Sequence, residues 1–107
     1  MPEDLWTALV HVKPKSRNHA LSKGAKGAYS NAIGRARNAR EFEERVRKAA
    51  QELGLEVIQF EDLETLDERI KHADVSKSLW DLAESIQDTE QVYFDAFYNY
   101  SADDGVQ

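Results

Sequence analysis

The spacing of apolar residues between positions 39 and 53 is the feature that most constrains how this chain folds. One apolar residue recurs every three or four positions, which forms a single stripe along an α-helix from Phe42, Val46, Ala49, Ala50 and Leu53. Asn38 followed by Glu41 has the form of a capping box, and Gly54 supplies a left-handed stop. A helix with one apolar side must pack that side against another layer, which the remaining segments have to supply.

Three other segments have the composition of β-strands. Residues 5–12 are apolar and rich in strand-forming residues, and Pro14 closes them. Residues 55–60 follow the helix, and residues 89–100 are the most aromatic part of the chain. Residues 28–37 fit both a helical and a strand period, but Gly34 would cost a helix about 1 kcal/mol relative to alanine. The pattern leaves both interpretations open and favours a second strand.

Shorter apolar stripes in residues 62–70 and 75–86 predict one or two further helices. This order predicts an α+β fold, a two-layer sandwich in which a mixed or antiparallel sheet of about four strands carries two to three helices on one face. The nearest common architecture is a ferredoxin-like variant, which implies no function by itself. We expect a single domain over residues 1–100, with a long basic loop at 13–27 and a frayed tail at 101–107.

Charge divides unevenly along the chain, whose net charge is −6 and whose isoelectric point is near 5.0. Residues 1–48 contain eleven Lys and Arg against five Asp and Glu, whereas residues 49–107 contain three against fifteen. Such a division indicates an interaction surface, or attraction between the two halves across the fold or across a dimer.

The cations concentrate in a segment from Lys13 to Arg40, which includes one aromatic residue, Tyr29, and no acid. Basic segments with aromatic residues neutralise phosphates and stack on bases, so this segment predicts binding of nucleic acid or a phosphorylated ligand. The candidate anion-binding residues are Lys13, Lys15, Arg17, Lys23, Lys26, Arg35 and Arg37. Against this, the chain as a whole is acidic, whereas nucleic-acid-binding domains are typically basic. Residues 24–27 lack the spacing of a phosphate-binding P-loop.

The acidic half predicts a different partner. Asp81, Glu84 and Asp88 lie on one side of the last predicted helix, opposite its apolar stripe. A solvated helix surface explains this pattern, and a surface of one sign also steers a basic protein towards it. These three carboxylates are therefore the candidate contacts for a protein partner.

The aromatic segment near the C-terminus carries large side chains on both sides of the predicted strand. A strand in a two-layer sandwich has one apolar side, so the second side is expected to contact something. Tyrosines are enriched at interfaces, which makes four residues the candidate aromatic interface: Tyr93, Phe97, Tyr98 and Tyr100. The alternatives are homodimerisation, docking of a partner, and packing under the 13–27 loop.

Several kinds of site are not predicted. The chain has no cysteine, so disulfides and thiolate chemistry are excluded. The three histidines, His11, His19 and His72, lack metal-ligand spacing, and no catalytic motif is present, so we expect no metal, cofactor or catalytic residue. The sequence contains no signal peptide and no membrane-length apolar run, which favours a cytoplasmic protein.

Two functions follow from these patterns. The first is a small non-catalytic acidic protein that binds a protein partner, such as an inhibitor or an immunity-type protein, or that self-associates. The alternative is a protein that binds nucleic acid or a phosphorylated ligand through Lys13–Arg40. An enzyme is the less favoured third class, and it would need a pocket near His11, Tyr29 and the aromatic strand.

Overall fold

A five-stranded antiparallel sheet forms the centre of the computed structural model, which describes residues 3–86 and 91–101. The strands are β1 (Asp4–Pro14), β2 (Gly27–Ala36), β3 (Leu55–Thr65), β4 (Val92–Phe94) and β5 (Tyr98–Tyr100). The helices are α1 (Ala39–Glu52), α2 (Leu66–His72) and α3 (Lys77–Ser85). The predicted α+β class, the antiparallel sheet and the number of helices are confirmed.

The strands lie in the order β3-β1-β2-β4, and β5 pairs with β2 beside β4. β1 and β2 pair directly from Asp4 opposite Ala36 to Val12 opposite Ala28, so residues 28–36 are a strand, as the sequence favours. Because β1 leads into β2 without a helix between them, the chain departs from the β-α-β-β-α-β order of the ferredoxin-like fold. That detail of the prediction is not confirmed.

The larger hydrophobic core lies between α1 and one face of the sheet, here called the α1 face. Phe42, Val46 and Ala50 of α1 are buried against sheet side chains of alternate strand positions, including Ala8, Val10, Val12, Ala28, Ala32 and Ala36. The alanines on β2 leave room for the helix to lie close to the strand. The capping prediction is correct, because the Asn38 side chain accepts a hydrogen bond from the Glu41 N–H at 2.9 Å.

α2 and α3 pack on the opposite face of the sheet, here called the second face. Ile33 of β2 is buried there with Leu66, Leu79, Ala83 and Ile86, and the partly buried Leu5 and Tyr93 join them. The structure therefore differs from the expected single helical face. The reason is the two-residue side-chain period of strands, which turns Leu5 and Ile33 away from α1 and requires a second cover.

Two strand boundaries also differ from the sequence interpretation. β3 continues to Thr65, beyond the predicted end at residue 60, through an irregularity next to Asp62, whose φ is 53°. The predicted strand 89–100 is two short strands separated at residues 95–97, and residues 89–90 lie outside the described part of the chain. An irregularity or a break in a strand changes the backbone hydrogen bonds but not the order of apolar residues, so the sequence pattern does not show it.

The segment between β1 and β2 is tied to the fold at both ends. The N–H groups of Lys15 and Ser16 donate to the Gly54 carbonyl at 2.8 and 3.3 Å, and the Lys26 N–H donates to the Tyr100 carbonyl at 2.8 Å. Between these ends, Leu21 is buried in the α1-face core. Gly54 permits the first attachment, since its φ is 73° and a Cβ there would lie 2.9 Å from the Cα of His19. The loop therefore spans residues 15–26, which is shorter than the predicted 13–27. These contacts with the rest of the fold hold it in place.

Candidate ligand-binding face

α2 and α3 cover one end of the second face, and an aromatic cluster occupies the other end. The ring of His11 stacks on the ring of Tyr29, with centroids 4.5 Å apart and planes 14° apart. The Nε2 atom of His11 and the hydroxyl oxygen of Tyr100 share a hydrogen bond of 2.6 Å. Tyr100 also lies across both rings at tilted angles, with centroids 5.6 Å from His11 and 6.1 Å from Tyr29.

Strand register brings these residues together. His11 is directly opposite Tyr29 across β1 and β2, and Tyr98 of β5 is directly opposite Tyr29. Residues opposite each other in an antiparallel pair point to the same face. Tyr29 is 38% exposed and Tyr98 65% exposed, so solvent reaches the cluster directly. We name His11, Tyr29, Tyr98 and Tyr100 the aromatic platform.

Gly27 is the residue that allows Tyr100 to reach His11. Gly27 lies directly opposite Tyr100 in the sheet, and the Tyr100 ring lies over it. A Cβ at position 27 would lie 2.6 Å from Cζ and 2.8 Å from Cε2 of that ring, which is closer than real side chains approach. Any other residue would push the Tyr100 ring away.

The environment of the platform favours a neutral imidazole. Burial is the main cause that lowers the pKa of His11 below its ordinary value, and the positive charge of Lys13 lowers it further. The carboxylate of Glu61 on β3 acts in the opposite direction on the same pKa. The platform thus has a cation at one side and an anion at another.

A cleft with cationic walls lies at the end of the sheet beside the platform. It measures about 390 Å³ and is lined by Lys13, Pro14, Ser16, Arg17, His19, Gly24, Ala25 and Lys26. Among the described residues that line it, none is an aspartate or glutamate. We name this cleft the basic cleft. Lys13 follows His11 on β1 and Lys26 bonds to Tyr100 through its backbone, so the cleft and the platform adjoin.

The predicted anion-binding residues divide into separate places. Lys13, Arg17 and Lys26 line the basic cleft, while Lys15 and Lys23 are exposed on the same segment. Arg35 lies on the far part of β2, where its guanidinium donates to the carbonyl of Ile86 at 3.4 Å. Arg37 binds Glu41 at 2.7 Å, and this hydrogen bond lowers the pKa of Glu41. The structure brings together only the part of the basic segment that precedes Gly27.

The predicted aromatic interface also divides. Tyr93 packs in the second-face core beside Ile33, and Phe97 packs against Phe94 on the α1-face core with centroids 5.5 Å apart. Only Tyr98 and Tyr100 belong to the open platform. Aromatic residues lie on both sides of this segment because some of them pack in the two cores and others form the exposed platform.

Two of the three predicted acidic contacts lie on α3. Asp81 forms an ion pair of 3.1 Å with Lys77, Glu84 is exposed, and Asp88 lies outside the described residues. A role of these carboxylates in partner binding stays a prediction.

His72 and Glu64 form a separate pair at the junction of β3 and α2. Their Nε2 and Oε1 atoms are 2.6 Å apart, and this hydrogen bond raises the pKa of His72 above its ordinary value. Because the pKa of His72 is higher in the folded state than in the unfolded state, the protonated ring stabilises the fold at pH values below the unfolded pKa near 6.5. This contribution to stability disappears as the pH rises through the raised pKa.

We expect Glu64→Gln to return the His72 pKa towards 6.5, measured by NMR titration of the ring protons, whereas the pKa of His11 should not change.

Sequence reasoning named Tyr29 and Tyr100 but not the roles of His11 and Gly27. The signal for His11 is its position between Val10 and Val12, which places a polar ring on the face opposite two core valines. The sequence alone gives no indication of the role of Gly27, because that role depends on the pairing of Gly27 with Tyr100 of β5. Within residues 3–86 and 91–101, no cluster of three potential metal ligands occurs. None of the helices there has the length and apolar character needed to cross a membrane.

Comparisons with family models, with curated proteins and with solved structures found no match for this chain.

Proposed function

We propose that this chain binds ligands that combine a planar ring with a phosphate, namely nucleotides, free or within a single strand of nucleic acid. The observation that supports this most directly is the exposed aromatic platform beside a cleft lined by Lys13, Arg17 and Lys26. A base gains stacking energy on the tyrosine rings of the platform, Tyr29, Tyr98 and Tyr100, and the cations neutralise the phosphate. Neither element requires base-specific hydrogen bonds.

The charges around the platform give the ligand a direction. Glu61 and Glu56 on β3 are opposite Leu9 and Lys13 of β1, so carboxylates lie along the β3 side. Phosphates are repelled from that side and attracted to the basic cleft. The base therefore lies over β2 and β5, and its phosphate points towards the 15–26 segment. This arrangement also accommodates the acidic charge of the chain as a whole.

The direct test is binding of fluorescein-labelled single-stranded oligonucleotides of six thymidines, measured by fluorescence anisotropy at several salt concentrations. Each phosphate contact contributes about 0.7 to the slope of log affinity against log salt, so three cations predict a slope near −2. Thymidine monophosphate and ribose phosphate, used as unlabelled competitors, distinguish a free nucleotide from a strand and test the need for a base. Affinity that does not change with salt would contradict the proposal.

Gly27→Ala tests the platform without changing any charge. The new Cβ must displace the Tyr100 ring, which ends the His11 hydrogen bond and removes part of the stacking surface. We expect about a tenfold loss of oligonucleotide affinity, within the range for one lost stacking contact. Because the displaced atoms are the end of a side chain, the melting temperature should change little.

Tyr100→Phe is the matched control for that variant. It removes the hydroxyl that bonds to His11 and keeps the ring over Gly27. We expect its affinity to stay within about twofold of the original protein, since stacking depends on the ring. If Gly27→Ala binds as well as the original chain, the platform is not the binding surface.

A further inference from the structure

A groove lies between α3 and the 95–97 segment that separates β4 from β5. It measures about 540 Å³ and is lined by Ser78, Asp81, Leu82, Phe94, Asp95, Ala96 and Phe97. Four of these residues are apolar, and two carboxylates, Asp81 and Asp95, complete the lining. None of them belongs to the aromatic platform or to the basic cleft.

Asp95 is held in place from three directions. Its N–H donates to the Asn31 carbonyl at 2.8 Å, and its own carbonyl accepts the Ser30 hydroxyl at 2.9 Å. Its side-chain carboxylate accepts a hydrogen bond from the Ser78 hydroxyl at 2.8 Å. A carboxylate fixed in this way loses little conformational freedom when a cation binds it.

Asp81 forms an ion pair with Lys77, and solvent screens the attraction between the two charges. Its ion pair with Lys77 is 3.1 Å long, but the two side chains are 60% and 89% exposed. Exposed pairs of this kind contribute little to stability. An incoming cation can therefore replace Lys77 at modest cost.

We propose that this groove binds an arginine side chain of a basic partner protein. Arginine matches both parts of the lining, because its methylene stem packs on apolar surface and its guanidinium stacks on an aromatic ring and bonds to carboxylates in pairs. Charge complementarity points the same way, since the described residues that line the groove include two carboxylates and no Lys, Arg or His. A second copy of this chain carries a net charge of −6 and is disfavoured by repulsion, and nucleic acid is repelled by both carboxylates.

The groove makes the acidic-partner prediction specific. Two carboxylates line it, Asp81 of α3 and Asp95 of the segment between β4 and β5, whereas the sequence pattern placed the candidate carboxylates on the helix alone. Glu84 does not line the groove, although it shares the helix and the charge of Asp81.

The test uses the full chain and a five-residue peptide, acetyl-Ala-Ala-Arg-Ala-Ala-amide, followed by NMR titration of backbone amide shifts. The comparison peptide replaces arginine by citrulline, which has nearly the same shape without the charge. We expect the arginine peptide to bind at least fivefold more tightly and to shift the amides of Ser78, Asp95 and Phe97. Equal binding of the two peptides, or shifts confined to other residues, would overturn the proposal.

Two substitutions of equal charge locate the site. Asp95→Asn should weaken arginine-peptide binding at least fivefold, whereas Glu84→Gln should leave it unchanged, because only Asp95 lines the groove. Asp95→Asn keeps an oxygen for Ser78, and an unchanged melting temperature would show that the fold is intact. Equal losses in both variants would mean that the peptide senses overall charge, which contradicts a groove. Amide shifts that appear on concentrating the protein alone would assign the groove to a second copy instead.

Discussion

Phe42→Ala is expected to lower the free energy of unfolding by about 3–5 kcal/mol, the range for a buried phenylalanine. Phe42 is fully buried at the centre of the α1-face core. The sheet residues of that core include Ala8, Ala32 and Ala36, whose short side chains cannot extend into the cavity. Because small domains are stable by about 5–15 kcal/mol, this loss would leave the fold marginal.

Urea unfolding followed by circular dichroism measures the effect, with the transition midpoint moving down at an unchanged slope. Ile70→Ala serves as the control, since Ile70 on α2 is 44% exposed and its truncation should cost less than about 1 kcal/mol. A loss below about 1 kcal/mol for Phe42→Ala would show that α1 does not supply the main core. Phe42→Leu, which keeps most of the apolar volume, should recover much of the loss.

The helical stripe of α1 was predictable because it depends on local information. The Phe42, Val46 and Ala50 positions follow a 3.6-residue period. The Asn38 side chain accepts a hydrogen bond from a backbone N–H of the first turn, and this contact needs no residue distant in sequence. β1 was predictable for a similar reason, since its run of apolar residues ends at a proline. These two elements, with the aromatic segment, are enough to define an α+β fold.

The distribution of helices between two faces was not predictable in the same way. Alternation along each strand already turns Leu5 and Ile33 away from Ala8 and Ala32. The pairing register of β1 and β2 then brings Leu5 and Ile33 to the same face, under α2 and α3, and the apolar pattern does not contain that pairing. Register depends on contacts distant in sequence. The break in the aromatic segment has the same origin, because Asp95 leaves the strand to bond with Asn31 and Ser30 of β2.

The cations of the candidate site show most clearly what the sequence alone does not predict. Composition identified the cations, yet the fold directs Arg35 and Arg37 to structural partners and leaves Lys13, Arg17 and Lys26 around one cleft. The charge division along the chain therefore does not by itself locate a binding surface. What matters for a phosphate is the local set of charges around it, which a one-dimensional pattern does not contain.

Neutralising the basic cleft is expected to have the largest effect on the proposed function. The variant Lys13→Gln, Arg17→Gln and Lys26→Gln removes all three cations that line the cleft. Three lost phosphate contacts should reduce oligonucleotide affinity on the order of 100-fold near 0.1 M salt and flatten the salt slope by about 2. Exposed side chains of this kind contribute little to folding, so the melting temperature should hardly change.

The matched control neutralises three cations outside the cleft, Arg40, Lys48 and Lys71, by substitution with glutamine. Arg40 and Lys48 lie on α1, which covers the other face of the sheet, and Lys71 lies on α2. Both variants lower the net charge by three units, so they alter the long-range field alike and differ only in where the charge is lost. If the control loses as much affinity as the cleft variant, phosphate is attracted by total charge. A loss confined to the cleft variant means that phosphate contacts Lys13, Arg17 and Lys26 directly.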